Sequence, residues 1–343
     1  MDTSGTSRPA ASMCPSRKAL RDKPAIKLRL YVQGLILLTG VCLTGCPSPY
    51  TLGFPGTYPT NKFETIIDGE QRVTVYYPDT APRLSNLPII IFSPGWNQPR
   101  GSYEGYAKQF AQWGYIGVIR AYPSYYVLGA IRGPDPEDPP LINLHVKQCS
   151  RLIDWCAEQN LRPDSPLYGL VDAQTVGTVG HSYGAGVSLS AAAQDKRVKA
   201  AVPLDVTWDS NLCRKETLAN TTAAILYIRS GDGRFCAKPP GARDQLFDYT
   251  PGPAEELTII GADHIDFEDS LVSVDWFAEL FCPRGKANAQ EVRNITMRYM
   301  IPWYNVYLKG DTDYTDFFDG ESSKNDESRG LVTIRRNLNG HGS

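Results

Sequence analysis

The sequence predicts a mostly parallel, doubly wound α/β sheet with helices on both faces. Three observations carry that expectation. Apolar strand-like runs alternate with helical patterns along the chain, the order that produces βαβ units. Runs such as Pro88-Ile89-Ile90-Ile91-Phe92 are apolar without alternation, as strands covered on both faces must be. The stretch Gln174-Thr175-Val176-Gly177-Thr178-Val179-Gly180-His181-Ser182-Tyr183-Gly184-Ala185-Gly186 reads as a buried strand, a serine and then a small-residue helix.

Composition narrows the class. At 343 residues, 42% of them hydrophobic, the chain can bury one large core or two modest ones. Its formal net charge of -2 argues against a nucleic-acid partner, which calls for a clustered basic excess.

The first 45 residues read as an export signal. Arg17, Lys18, Arg21, Lys23, Lys27 and Arg29 form a basic region before the apolar run Leu30 to Leu43, which is shorter than the about 20 residues of a membrane span. The ending Leu43-Thr44-Gly45-Cys46 resembles the lipobox of bacterial lipoproteins, which implies cleavage before Cys46 and a lipid on its thiol. The stretch before Lys18 is long for a signal and leaves Met13 as an alternative start.

Residues 46–64 begin Pro- and Gly-rich and read as a tether, and 65–310 as the folded domain. Within it, Gln71 to Tyr77 alternates as a strand, Pro88 to Phe92 is the next, and Ser93-Pro94-Gly95-Trp96-Asn97 is a turn. Ser102 to Trp113 has helical spacing and stops at Gly114, and the strand Tyr115 to Ala121 follows. Tyr122 to Pro140 holds five prolines, so a loop over the site is expected. Leu141 to Gln159 is a helix with Leu144, Val146, Leu152, Ile153 and Trp155 as core candidates. Past the serine come strands at Val198 to Leu204, Ala223 to Ile228 and Glu256 to Ile260. Two closing helices follow, Asp266 to Cys282 and Ala287 to Lys309, the second interrupted or restarted at Pro302. The acidic, serine-rich segment opening 311–343 marks that stretch as a loose tail.

Gly180-His181-Ser182-Tyr183-Gly184 fits G-x-S-x-G, the pattern of a sharp strand-to-helix turn that exposes a strained serine. A serine hydroxyl needs a base, normally a histidine oriented by a carboxylate. Of four histidines, His145 lies mid-helix, His181 adjoins Ser182 and must point away, and His341 is in the tail. His264, just after the last buried strand, remains as the base. Two carboxylates end strands on the same edge. Asp232 lies 50 residues after Ser182 and 32 before His264, in the usual Ser, Asp, His order, and is preferred, with Asp205 as the alternative. The backbone N–H groups of Tyr183 and Trp96 are the expected oxyanion donors.

Five cysteines fall beyond the signal. Cys213 and Cys236 could bridge in an oxidising compartment, whereas Cys149 and Cys156, at i, i+7 on a helix, are about 10 Å apart and cannot. No C-x-x-C pair or histidine cluster points to a metal.

Ile91-Phe92-Ser93-Pro94-Gly95-Trp96, Gln112-Trp113-Gly114-Tyr115, Gly180 to Gly186, Val202 to Ser210 and Tyr307-Leu308-Lys309-Gly310-Asp311 together resemble the α/β-hydrolase superfamily. More narrowly, they resemble the bacterial secreted dienelactone-hydrolase-like esterases, cutinases and polyester hydrolases. The resemblance implies the triad Ser182, Asp232 and His264, oxyanion donors Trp96 and Tyr183, and Trp208 as a substrate-side aromatic. Two departures keep the acid open. Gly233-Arg234-Phe235-Cys236 lacks those esterases' apolar-proline run, and Leu204-Asp205-Val206 looks like the acid position of chlorophyllases and platelet-activating-factor acetylhydrolases.

The expected protein is therefore a serine esterase working through an acyl-enzyme on a small, lipid-like or polymeric ester, without metal or organic cofactor. It is exported, and either tethered to a membrane through lipid on Cys46, on the periplasmic side or cell surface, or secreted. A peptidase or acyltransferase on the same fold, or a non-catalytic surface scaffold, are the rival expectations.

Overall fold

The computed structural model describes residues 56–96, 98–122, 126–127, 130–131, 138–206, 215–232, 246–269 and 284–337. By backbone contacts the chain divides into Met1–Cys46 and Pro47–Ser343, and all described residues lie in the second unit. Cys46 and Trp208 lie outside the described residues, as do Cys213 and Cys236; Cys149 and Cys156 are free and buried.

Among the described residues, nine strands form one sheet in the order β1-β2-β4-β3-β7-β8-β9-β10-β11. They are β1 (Thr60–Ile67), β2 (Gln71–Pro78), β3 (Leu87–Ser93), β4 (Ile116–Arg120), β7 (Val171–His181), β8 (Val198–Leu204), β9 (Ala224–Ser230), β10 (Ala254–Ile259) and β11 (Val332–Asn337). Strands β4, β3, β7, β8, β9 and β10 run parallel, while β1, β2 and β11 close the edges antiparallel. This is the expected doubly wound architecture, with strand β7 at its centre.

The unbroken apolar runs have the expected cause. Ile89 and Ile91 belong to one core and Ile90 and Phe92 to the other, because successive side chains leave opposite faces of a strand. The first core is covered by α2 (Pro139–Asn160) and α3 (Tyr183–Gln194), the second by α1 (Glu104–Gln112) and a long helix at Ala289–Lys309. On α2, Ile142, Val146, Cys149, Leu152, Ile153 and Cys156 make the apolar stripe. Leu144 falls off it and is 50% exposed, against expectation.

Several boundaries need correction. Strand β1 begins at Thr60, so the tether ends short of residue 64; Thr60–Ile67 is mostly exposed edge strand, and its weak apolar signal hid it. The proline-rich 122–140 region contains a small antiparallel ladder, β5 (Tyr126–Val127) with β6 (Ala130–Ile131). Of the helix expected from Asp266, the described part is a 3₁₀ turn at His264–Phe267.

The helix Ala289–Lys309 continues without a break across Pro302. Ile301, Trp303 and Tyr304 on either side are buried, and that packing offsets the one backbone hydrogen bond proline removes. Within the stretch expected as a loose tail, residues 312–337 fold. A 3₁₀ turn at Thr312–Tyr314 leads to short helices at Asp316–Asp319 and Glu321–Ser328 and then to β11, which pairs with β10. Composition concealed this because few apolar groups do the work. Phe317, Phe318 and Val332 are buried, and buried Asp326 pairs with Arg298 at 3.1 Å and accepts from the Tyr299 hydroxyl at 2.9 Å.

Candidate active site

Strand β7 delivers Ser182 at the carboxyl edge of the sheet, where open α/β folds place their ligands. Ser182 has φ 57° and ψ -121°, a conformation costing about 1–3 kcal/mol that persists only where the surroundings enforce it. They do so from both sides. Its N–H donates to Leu204 O at 3.0 Å, extending the β7–β8 ladder past the strand end, and the next residue, Tyr183, opens α3. The two glycines are steric necessities. A Cβ on Gly180 would lie 2.1 Å from Gly184 O, and one on Gly184 2.1 Å from Ser93 O and 2.3 Å from Pro94 O.

His264 follows β10, in the 3₁₀ turn His264–Phe267. Asp263 and Asp266 bracket that turn: the His264 N–H donates to Asp263 Oδ1 at 2.8 Å, and the Asp263 N–H donates to Asp266 Oδ2 at 2.8 Å. Fully buried Asp266 also accepts from the Gly285 N–H at 2.9 Å and pairs with Arg284 at 3.3 Å, which anchors the loop.

The carboxylate against His264 is Asp205, whose Oδ2 lies 2.6 Å from His264 Nδ1. This corrects the preference for Asp232 as the carboxylate oriented on that histidine. Asp205 is fully buried at φ 43°, and its oxygens accept from Ser230, the N–H at 3.1 Å and the hydroxyl at 3.0 Å. Asp232 stands one strand further on, where its backbone N–H donates to Ala262 O at 2.8 Å and so staples the turn that precedes His264. The histidine turn folds back across β9 toward β7 and β8, so strand counting picked the wrong neighbour.

With Nδ1–H held by a carboxylate, a neutral imidazole presents Nε2 as a proton acceptor. The ring of His264 lies 4.5 Å from that of His181, the residue before Ser182, so His264 and the serine loop are neighbours.

Trp96 and Tyr183 are also brought together. Their rings meet edge to face at 5.0 Å, and the Gln98 N–H closes the turn around Trp96 by donating to Gly95 O at 3.1 Å. The Tyr183 hydroxyl lies 2.7 Å from His145 Nδ1, and the Tyr122 ring packs on His145 at 4.4 Å. Burial, with the Arg120 guanidinium beside it, drops His145 to about 3, so it is neutral at ordinary pH. His145, His181, Ser230 and Tyr103 carry no catalytic signal in the sequence. All four support the site, and helical or strand periodicity carries no signal of such long-range pairing.

Among the described residues, no group of three or more His, Cys, Asp or Glu side chains is arranged to hold a metal ion.

Comparison with known proteins agrees with this architecture. A family model described as PET hydrolase-like matches residues 55–225, and one described as platelet-activating factor acetylhydrolase, isoform II, matches 164–328. The chain is 22% identical to Lipase 1 of Moraxella sp. (strain TA144) over 244 residues, 71% of this chain and 62% of the lipase, so it spans under two thirds of that relative's length. It is 23% identical to Cutinase est2 of Thermobifida alba over 255 residues, 73% of this chain and 68% of the cutinase. A central strand ending in a strained serine on a mostly parallel sheet, with these matches, places the chain in the α/β-hydrolase superfamily, with distant similarity to a lipase and a cutinase.

Proposed function

We propose that the protein is a carboxylic-ester hydrolase in which Ser182 attacks the ester carbonyl. His264 takes the serine proton and returns it to the leaving alcohol, and Asp205 holds the imidazole in the required tautomer. The N–H groups of Tyr183 and Trp96 stabilise the oxyanion, and water releases the acyl group through the same base. The observation that carries the reading is the coincidence of two features at one sheet edge: a serine forced to φ 57°, and a histidine bonded at 2.6 Å to a fully buried carboxylate. The matches named for cutinase, lipase and PET hydrolysis support an apolar or polymeric ester as substrate, and Trp208 is proposed as a substrate-side aromatic.

A fluorophosphonate probe tests this directly. The folded domain is expected to take one label and Ser182→Ala none. Equal labelling of both, or no labelling together with no ester turnover, would sink the proposal. Amide turnover without ester turnover would shift it to a peptidase.

Export belongs to the same proposal, with residues 1–45 removed and Cys46 lipidated. The mass of the mature N-terminal peptide from the native host checks it: a diacylglyceryl adduct on Cys46 is expected, and a free thiol there rules out the anchor.

A further inference from the structure

We propose that His181 and Tyr103 are positioning residues that lock the oxyanion turn, the serine elbow and the backbone of His264 into one hydrogen-bonded unit. The proposal rests on the reading of Ser182 and His264 as nucleophile and base.

The directions of the bonds follow from chemistry. His181 Nε2 lies 2.9 Å from the carbonyl oxygen of His264, and a carbonyl only accepts, so Nε2 carries the proton. A neutral ring must then accept at Nδ1, where the Tyr103 hydroxyl stands at 2.8 Å and donates. The Tyr103 oxygen, its proton committed, accepts from the Gly95 N–H at 3.4 Å. The chain therefore runs Gly95 N–H to Tyr103 O–H to His181, and His181 Nε2–H to His264 O. Its ends belong to the turn after β3 that carries Trp96 and to the turn after β10 that carries His264. Its middle is the residue preceding Ser182.

The surroundings hold this direction fixed. His181 is 1% exposed and Tyr103 fully buried. The Tyr103 ring stacks on Phe92 at 4.7 Å, and the His181 ring packs against His264 at 4.5 Å and Phe267 at 5.8 Å. Burial, with His264 adjacent, holds His181 down to about 3, so the ring stays neutral and its two hydrogen bonds set which nitrogen donates. A ring of this shape without nitrogens would fill the same space and make none of these bonds. The chain thus has a use beyond packing: it sets how far the base and the oxyanion turn stand from the serine, where an error of about 1 Å can lower turnover about 100-fold.

The test uses His181→Phe, His181→Gln and Tyr103→Phe. It reads kcat and KM on a soluble ester, the rate of fluorophosphonate labelling, and the unfolding midpoint. His181→Phe is expected to lower kcat and labelling rate about 100-fold with KM changed less than about threefold, and His181→Gln, which can still donate toward His264 O, to recover most of the loss. Tyr103→Phe deletes one oxygen and is expected to slow labelling about tenfold. It carries the test if His181→Phe does not fold. Folded variants that label at the wild-type rate overturn the proposal, as do His181→Gln and His181→Phe equally impaired. Wild-type protein that takes no label refutes the nucleophile itself and is told apart by that result alone.

Discussion

Asp205→Asn is expected to lower kcat/KM on an ester substrate by about 10⁴-fold, while Asp232→Asn changes it less than about threefold. The asymmetry follows from what each carboxylate faces. Asp205 Oδ2 is 2.6 Å from His264 Nδ1, and the Ser230 hydroxyl and N–H hold the carboxylate so that it cannot turn away. An asparagine in that grip can present its NH₂ to Nδ1. The imidazole then carries its proton on Nε2, facing the nucleophile, and cannot accept the serine proton. Asp205 is also fully buried, so its charge is not screened by water and its loss is felt at the imidazolium that forms during turnover. Asp232 donates its backbone N–H to Ala262 O, a bond that asparagine preserves. Steady-state kinetics of the two variants decide the matter, with the fluorophosphonate rate as a second readout. A large loss in Asp232→Asn and a small one in Asp205→Asn would reverse the assignment.

The sequence made this choice hard for a physical reason. Strand content, the serine elbow and the placement of His264 at the same sheet edge were legible because each depends on local pattern: apolar runs such as Val198 to Leu204, the small residues flanking Ser182, and a histidine directly after a buried strand. The choice between Asp205 and Asp232 depends on the direction a loop turns. Both residues leave the carboxyl ends of neighbouring strands. What draws His264 back over β9 is the bond from His181 Nε2 to its carbonyl and the anchoring of Asp266 by Gly285 and Arg284. Those partners are 83, 19 and 18 residues away in sequence, beyond any local pattern. The same holds for β11. Its six residues become a strand because β10 offers an edge, and Glu256 of β10 meets Arg335 across the pair at 3.0 Å.

Gly184→Ala is expected to lower kcat by about 100-fold or more and to destabilise the fold by about 1–3 kcal/mol, whereas Gly101→Ala leaves kcat unchanged. The new Cβ at position 184 would meet Ser93 O at 2.1 Å and Pro94 O at 2.3 Å, more than 1 Å inside the 3.4 Å at which ordinary contact begins. Neither atom can step aside as a side chain would. Ser93 ends β3 and is held in register against Gly180 of β7, so the displacement passes into the turn Pro94-Gly95-Trp96. Gly101 has nothing within 4 Å of the corresponding position, which makes its substitution a control for the chemical change alone. The unfolding midpoint should fall by about 2–4 °C for each kcal/mol lost, leaving folded enzyme at 25 °C in which kcat can be measured. In that folded fraction the loss should appear in kcat more than in KM. The turn donates to charge that develops only after attack, and moving it weakens the transition state more than the bound ester. A folded Gly184→Ala enzyme with wild-type kcat would show that this turn can move without consequence, and Trp96 would lose its place as an oxyanion donor.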